Sequence, residues 1–179
     1  HNITNSMATG GGIARSLERK IMTAKNMKIV VLTGTPLVNT IFEIAKLFNL
    51  LRGFIETFIY TFINRVDFDH LREELLQHSS IDYVIPDMRK NQIIITRNPE
   101  GFVHTRDGLG ILKTDRQITQ DEFMDEVEAV FSRMGYKVNE KEVKLNTSLP
   151  DEKEVFYHYF YNQRDNSVLN TELFTARIN

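Results

Sequence analysis

Apolar residues return every three or four positions in two early stretches, and that spacing predicts helices with one buried face. The first runs from Ile13 to Ala24, on Ile13, Leu17, Ile21 and Ala24, with Arg15, Glu18, Arg19, Lys20 and Lys25 on the solvated side. The second is opened by Asn39 and buries Ile41, Ile44, Ala45, Leu47, Phe48 and Leu51, with Gly53 as its stop. Between them Ile29-Val30-Val31-Leu32 is a short unbroken apolar run that predicts a buried strand. The first ten residues of the chain are polar and rich in glycine, with Gly10-Gly11-Gly12 as an irregular break. Phe54 to Ile63 is aromatic-rich and is read as helical, with Phe54, Phe58, Tyr60 and Phe62 as core residues. Asp67 is placed to cap a short helix carrying Leu71, Leu75 and Leu76.

From Ser79 the pattern changes to strands and turns. Asp82–Ile85, Gln92–Thr96 and Phe102–Thr105 predict strands, separated by turn residues at Pro86-Asp87, Lys90-Asn91 and Asn98-Pro99-Glu100-Gly101. Thr119 with Glu122 three positions on is a capping box, and Phe123, Val127, Val130, Phe131 and Met134 give the stripe of the helix it opens, ended by Gly135. Tyr136 to Leu145 is strand-like, Asp151 to Phe160 helical, Asn162 to Ser167 a polar loop, and Asn170 precedes a last helix. The expected fold class is therefore α/β. Residues 1–53 are expected to close a parallel α/β domain, 54–79 to form a helical junction, 80–150 a small α+β module, and 151–179 a linker and helix.

Composition narrows the chemistry. At 179 residues, with 41% hydrophobic and 26% charged residues, the chain has the make-up of a globular protein. A formal net charge of -2 argues against binding polyanions through overall charge, so any such contact must use a local patch. The absence of cysteine excludes disulfides and thiolate metal sites and suits a reducing compartment. His70, His78, His104 and His158 lack the spacing of zinc ligands, so no metal site is expected. Glu43, Lys46, Asn49, Arg52 and Glu56 break the apolar stretch from Ile41 to Ile63, so no membrane partner is expected. The acidic run Asp121, Glu122, Asp125, Glu126 and Glu128 reads as a solvated helix face.

The most informative segment is Lys28-Ile29-Val30-Val31-Leu32-Thr33-Gly34-Thr35-Pro36. It resembles the Ser/Thr-Gly-Thr-Pro motif of superfamily 2 helicases and translocases, most closely the Swi/Snf-like branch and its relatives in large DNA viruses. Those viral members include the poxvirus early transcription factor small subunit and helicases of giant viruses. His1-Asn2-Ile3 is similar to the tail of an Asp-Glu-Ala-His box. Asn170-Thr171-Glu172-Leu173-Phe174 with Arg177-Ile178 is similar to the lead into a second motor lobe.

The resemblance implies the C-terminal part of a RecA-like parallel-sheet lobe, followed by helices and an inserted α+β module. It implies a fragment of an ATP-dependent nucleic-acid motor in viral transcription, with both chain ends read as cut. ATP and Mg2+ would serve the intact protein, duplex DNA would be its track, and transcription machinery would dock on the insert. The setting would be a cytoplasmic viral factory or virion, or otherwise an intracellular compartment. The motif residues Thr33, Gly34, Thr35 and Pro36 would couple nucleotide state to nucleic-acid grip, with His1 in the same network. The sequence contains no Gly-x-x-x-x-Gly-Lys-Ser/Thr loop, so the fragment alone is expected to be inactive.

Arg89, Lys90, Arg97 and Arg106 lie near Phe102 in the sequence of the β-rich module, a combination that can hold a phosphate backbone and stack a base. The favoured expectation is the plainer one, with Phe102 in the core and the charges solvated. The alternative to the motor is a non-catalytic α/β interaction module in which Thr-Gly-Thr-Pro is only a turn.

Overall fold

The computed structural model describes residues 2–24, 27–37, 39–105 and 110–178. The chain divides into two compact units, one formed by 1–54 with 147–179 and the other by 55–146. Both mix helices and strands, and every sheet is antiparallel. The parallel sheet expected of residues 1–53 is not present among the described residues.

The first unit is helical. Helices α1 (Asn2–Ala8), α2 (Gly12–Thr23) and α3 (Phe42–Arg52) come from the first part of the chain. Helices α6 (Lys153–Phe160) and α7 (Thr171–Ile178) come from the last part, with a two-residue hairpin, β7 (Tyr161–Asn162) and β8 (Ser167–Val168), between them. Helix α1 occupies a stretch expected to be irregular, and Met7 on it is buried with Ala14 and Leu50. Helix α3 is the centre of the unit. Phe42 and Ala45 pack with Leu149, Phe156 and Phe160, so residues more than 100 positions apart share one core. Gly53 ends α3 at a φ of 75°, a left-handed conformation that favours glycine.

The second unit is a four-stranded sheet ordered β2-β3-β1-β6. Its strands are β1 (Phe54–Phe62), β2 (Ile81–Asp87), β3 (Gln92–Arg97) and β6 (Val138–Thr147). Helix α4 (Phe68–Leu75) joins β1 to β2, and α5 (Gln120–Arg133) leads into β6. This is the split β-α-β arrangement, in which β3 lies between the strands that α4 connects. A separate hairpin, β4 (Phe102–Thr105) with β5 (Gly110–Lys113), is inserted before α5.

Residues 54–63, expected to be helical, form β1 instead. Phe58, Tyr60 and Phe62 alternate with Ile59, Thr61 and Ile63, which is the period of a strand. The aromatic set packs onto α5, with Tyr60 and Phe62 each 5.0 Å from Phe131 and Phe58 4.7 Å from Phe123. The stretch 54–79, read as a junction, thus supplies a central strand and a packed helix. Both sheet edges are protected from pairing with another chain. Strand β2 carries Pro86 and a register shift between Ile81 and Tyr83, and β6 exposes Glu140, Lys141, Glu142 and Lys144.

Candidate functional site

The Thr33–Pro36 motif is an open turn. The Thr35 N–H donates to Thr33 Oγ1 at 3.1 Å, a short-range bond that bends the chain back on itself. All four motif residues are exposed, and a Cβ at Gly34 would meet nothing within 4 Å, so packing does not demand glycine there. The preceding run is not a strand. Val30 is 69% and Leu32 91% exposed, and no sheet among the described residues includes them. A strand needs a neighbour to satisfy its backbone, and none is present among the described residues.

The motif exit is held by α3. Glu43 is fully buried, and its Oε1 accepts the Asn39 and Thr40 N–H groups at 3.0 and 3.1 Å. A carboxylate here satisfies orphan donors ahead of the helix and complements its positive end. The helix therefore starts at Phe42 rather than Asn39. Glu43 begins a row that continues through Lys46, Asn49 and Arg52 at every third position. Buried Lys46 pairs with Glu18 on α2 at 3.3 Å and with Asp151, and lies over the Phe42 ring. Asn49 exchanges two hydrogen bonds with the Leu149 backbone, and Arg52 donates to the Ala176 carbonyl at 2.6 Å.

Sequence reasoning used these four residues only as breaks in an apolar stretch. Their signal was present, because every remaining position of α3 except Glu43's neighbours in this row is apolar. A helix apolar on so many sides is buried, and its polar residues then need partners.

The basic residues of the second unit weighed as a group around Phe102 are not brought together. Arg89 and Lys90 lie in the β2–β3 turn, while Arg97 ends β3 at its opposite end. Six residues of strand separate the ends by roughly 20 Å. Arg97 is also occupied, pairing with Glu56 and donating to the Ile118 carbonyl at 3.0 Å. Phe102 is 44% exposed rather than core, opposite Lys113 in the β4–β5 hairpin. Arg106 and His1 lie outside the described residues.

Among the described residues no three His, Cys, Asp or Glu side chains gather as cation ligands. The sequence contains no Gly-x-x-x-x-Gly-Lys-Ser/Thr loop. Among the described residues no helix is long and apolar enough to cross a membrane. Comparison with protein-family models, curated proteins and solved structures found no match.

Proposed function

We propose that the first unit is part of the first RecA-like lobe of a superfamily 2 nucleic-acid motor, and that Thr33–Pro36 is its coupling loop. The observation that carries the reading is the run Lys28–Leu32. It has the composition of a buried parallel strand, yet Val30 and Leu32 are left facing solvent directly before the motif. Ile3, Ile13 and Leu17 line an apolar groove on α1 and α2 in the same unit and are exposed as well. Uncovered apolar surface of this kind marks a face that another element covers. In the intact motor that element would be the remainder of the parallel sheet, with ATP and Mg2+ bound by residues outside this chain.

The open Thr33 and Thr35 hydroxyls would meet the acidic box beside the γ-phosphate, and His1 would join that network. Glu43 would carry any movement of the loop exit into α3. The inserted second unit, the duplex-DNA track and the setting in viral transcription belong to the same reading. The test begins with the mass and N-terminal sequence of the native protein. A longer chain with a phosphate loop and Asp-Glu-Ala ahead of His1 is expected. In that protein, Thr33→Ala with Thr35→Ala is expected to leave nucleic acid bound but to abolish its stimulation of ATP hydrolysis. Unchanged stimulation would overturn the coupling role. A native chain beginning at His1 would favour the interaction module.

A further inference from the structure

Ion pairing in the second unit is uneven. Arg97, Arg116, Arg133, Lys141 and Lys144 each meet a carboxylate at 2.5 to 2.9 Å. Arg72 lies over the Tyr83 ring, and Lys90 is 3.9 Å from Asp87. Among the described residues Arg65, Arg89, Lys113 and Lys137 have no such carboxylate. Three of these belong to loops at one end of the sheet: Arg65 between β1 and α4, Arg89 between β2 and β3, and Lys137 between α5 and β6.

Two asparagines join these loops into one body. Asn91, at a φ of 51°, donates through Nδ2 to the Phe62 and Asn64 carbonyls at 2.8 and 3.0 Å. Asn64 donates to the Gly135 carbonyl at 3.0 Å and accepts the Lys137 N–H at 2.8 Å. The Tyr136 hydroxyl accepts the Asp67 N–H at 3.2 Å. The loops enclose a concavity of about 700 Å³ walled by Arg65, Asp69, Met88 and Tyr136. Met88 is 67% exposed.

Three carboxylates share this end, and two are engaged. Asp67 caps α4 through the His70 N–H, and Asp87 accepts the Arg89 and Lys90 N–H groups. Asp69 faces the concavity.

We propose that this loop end binds single-stranded nucleic acid. The proposal rests on the nucleic-acid half of the motor reading and not on its ATP site. Phosphates sit on Arg65, Arg89 and Lys137, with guanidinium groups suited to paired bonds with phosphate oxygens. A base lies in the concavity against Tyr136 and Met88, where an aromatic ring and a polarisable thioether take any base face. Asp69 accepts a base amino group. An acidic peptide such as polyglutamate would satisfy the cations but brings no planar ring to lie against Tyr136 and Met88. The open sheet face is a poorer platform, because its rows are Thr57–Thr96–Tyr83, Ile59–Ile94–Ile85 and Thr61–Gln92–Asp87, and the Tyr83 ring is already covered by Arg72.

Fluorescence anisotropy with the 179-residue chain and a labelled single-stranded DNA of about 20 nucleotides tests this. The combined variant Arg65→Ala, Arg89→Ala, Lys137→Ala is expected to lose about tenfold or more in affinity at about 50 mM salt. Its salt slope should fall by about 2, the share of three phosphates on a single strand. The combined variant Arg116→Ala, Lys141→Ala, Lys144→Ala removes equal charge elsewhere and is expected to bind like the parent. Equal losses in both variants, an absence of binding by the parent, or equal competition by polyglutamate would overturn the proposal. An RNA oligonucleotide bound at the same loop end would support it. Because no nucleotide is added, failure of the ATPase test above leaves this result standing.

Discussion

Replacing Asn49 isolates what holds the two chain segments of the first unit together. Asn49 is 1% exposed, Leu149 is fully buried, and 100 residues separate them. The Leu149 N–H donates to Asn49 Oδ1 at 2.7 Å, and Asn49 Nδ2 donates to the Leu149 carbonyl at 2.9 Å. The Thr147 hydroxyl donates to that carbonyl at 2.8 Å, so truncation leaves the carbonyl served and only the N–H orphaned. A buried donor without a partner costs about 1–3 kcal/mol, and a small cavity adds to it, so Asn49→Ala should destabilise the unit by about 2 kcal/mol. Asn49→Leu fills the space but leaves the same orphan, and should lose most of that amount. Amide exchange at Phe156, which is fully buried in the same unit and whose N–H donates to the Glu152 carbonyl in every variant, reads the unit's stability, which matters because two units need not unfold as one. Exchange there should accelerate about 30-fold, the factor that 2 kcal/mol implies. If both variants shift Phe156 exchange by less than about 0.5 kcal/mol, the cross-segment bonds are not what joins the pieces.

Tyr60→Phe should be neutral or stabilising by about 1 kcal/mol at neutral pH, because the buried Tyr60 hydroxyl has no hydrogen-bond partner among the described residues; thermal unfolding would show a loss instead if the hydroxyl were needed. Burial, with Glu128 and Asp125 nearby, pushes the Tyr60 phenol well above its ordinary value of 10.0. Its contribution is therefore complete below that ordinary value and is lost as pH rises past it, so the parent should unfold more readily above about pH 10 than the Phe variant does. The Glu122 carboxyl is held below the usual range by the backbone N–H and then the hydroxyl of Thr119. That contribution is present above the ordinary carboxylate value and fades as pH falls through the lowered one; Thr119→Ala should raise the Glu122 midpoint part of the way in a carbon-detected titration, the backbone bond remaining, and an unmoved midpoint would count against the hydroxyl's share.

Local chemistry was legible where it was self-contained. The Thr119–Glu122 box, the Asp67 cap and the Gly53 and Gly135 stops depend on residues a few positions apart, and each is formed. Residues 54–63 were misread because aromatic density outweighed periodicity. The alternation of Phe58, Tyr60 and Phe62 with Ile59, Thr61 and Ile63 was in plain view, and β-branched and aromatic residues together favour a strand. The basic group failed for a geometric reason. Arg89, Lys90 and Arg97 are close in sequence, but a strand carries its ends apart, whereas Arg65 and Lys137, distant in sequence, come to the same sheet end as Arg89.

The row on α3 shows why the rest could not be read from pattern alone. Glu43, Lys46, Asn49 and Arg52 look like the solvated face of an amphipathic helix, yet the first three are at most 5% exposed. Each meets a partner that local sequence cannot reveal: the loop at Asn39 and Thr40, Glu18 with Asp151, Leu149, and Ala176. Apolar packing tolerates many sequences of similar volume, but a buried polar row tolerates few, since every member must find its complement. The row therefore fixes the order in which the motif exit, α2, the segment after β6 and α7 gather around α3. A displacement of the Thr33–Pro36 loop that disturbs Glu43 acts on the same rigid helix that Arg52 ties to α7. This gives the coupling role proposed for the loop a physical route through the unit, along a helix that Asn49 braces against Leu149, so the Asn49 variants would loosen it without touching the motif itself.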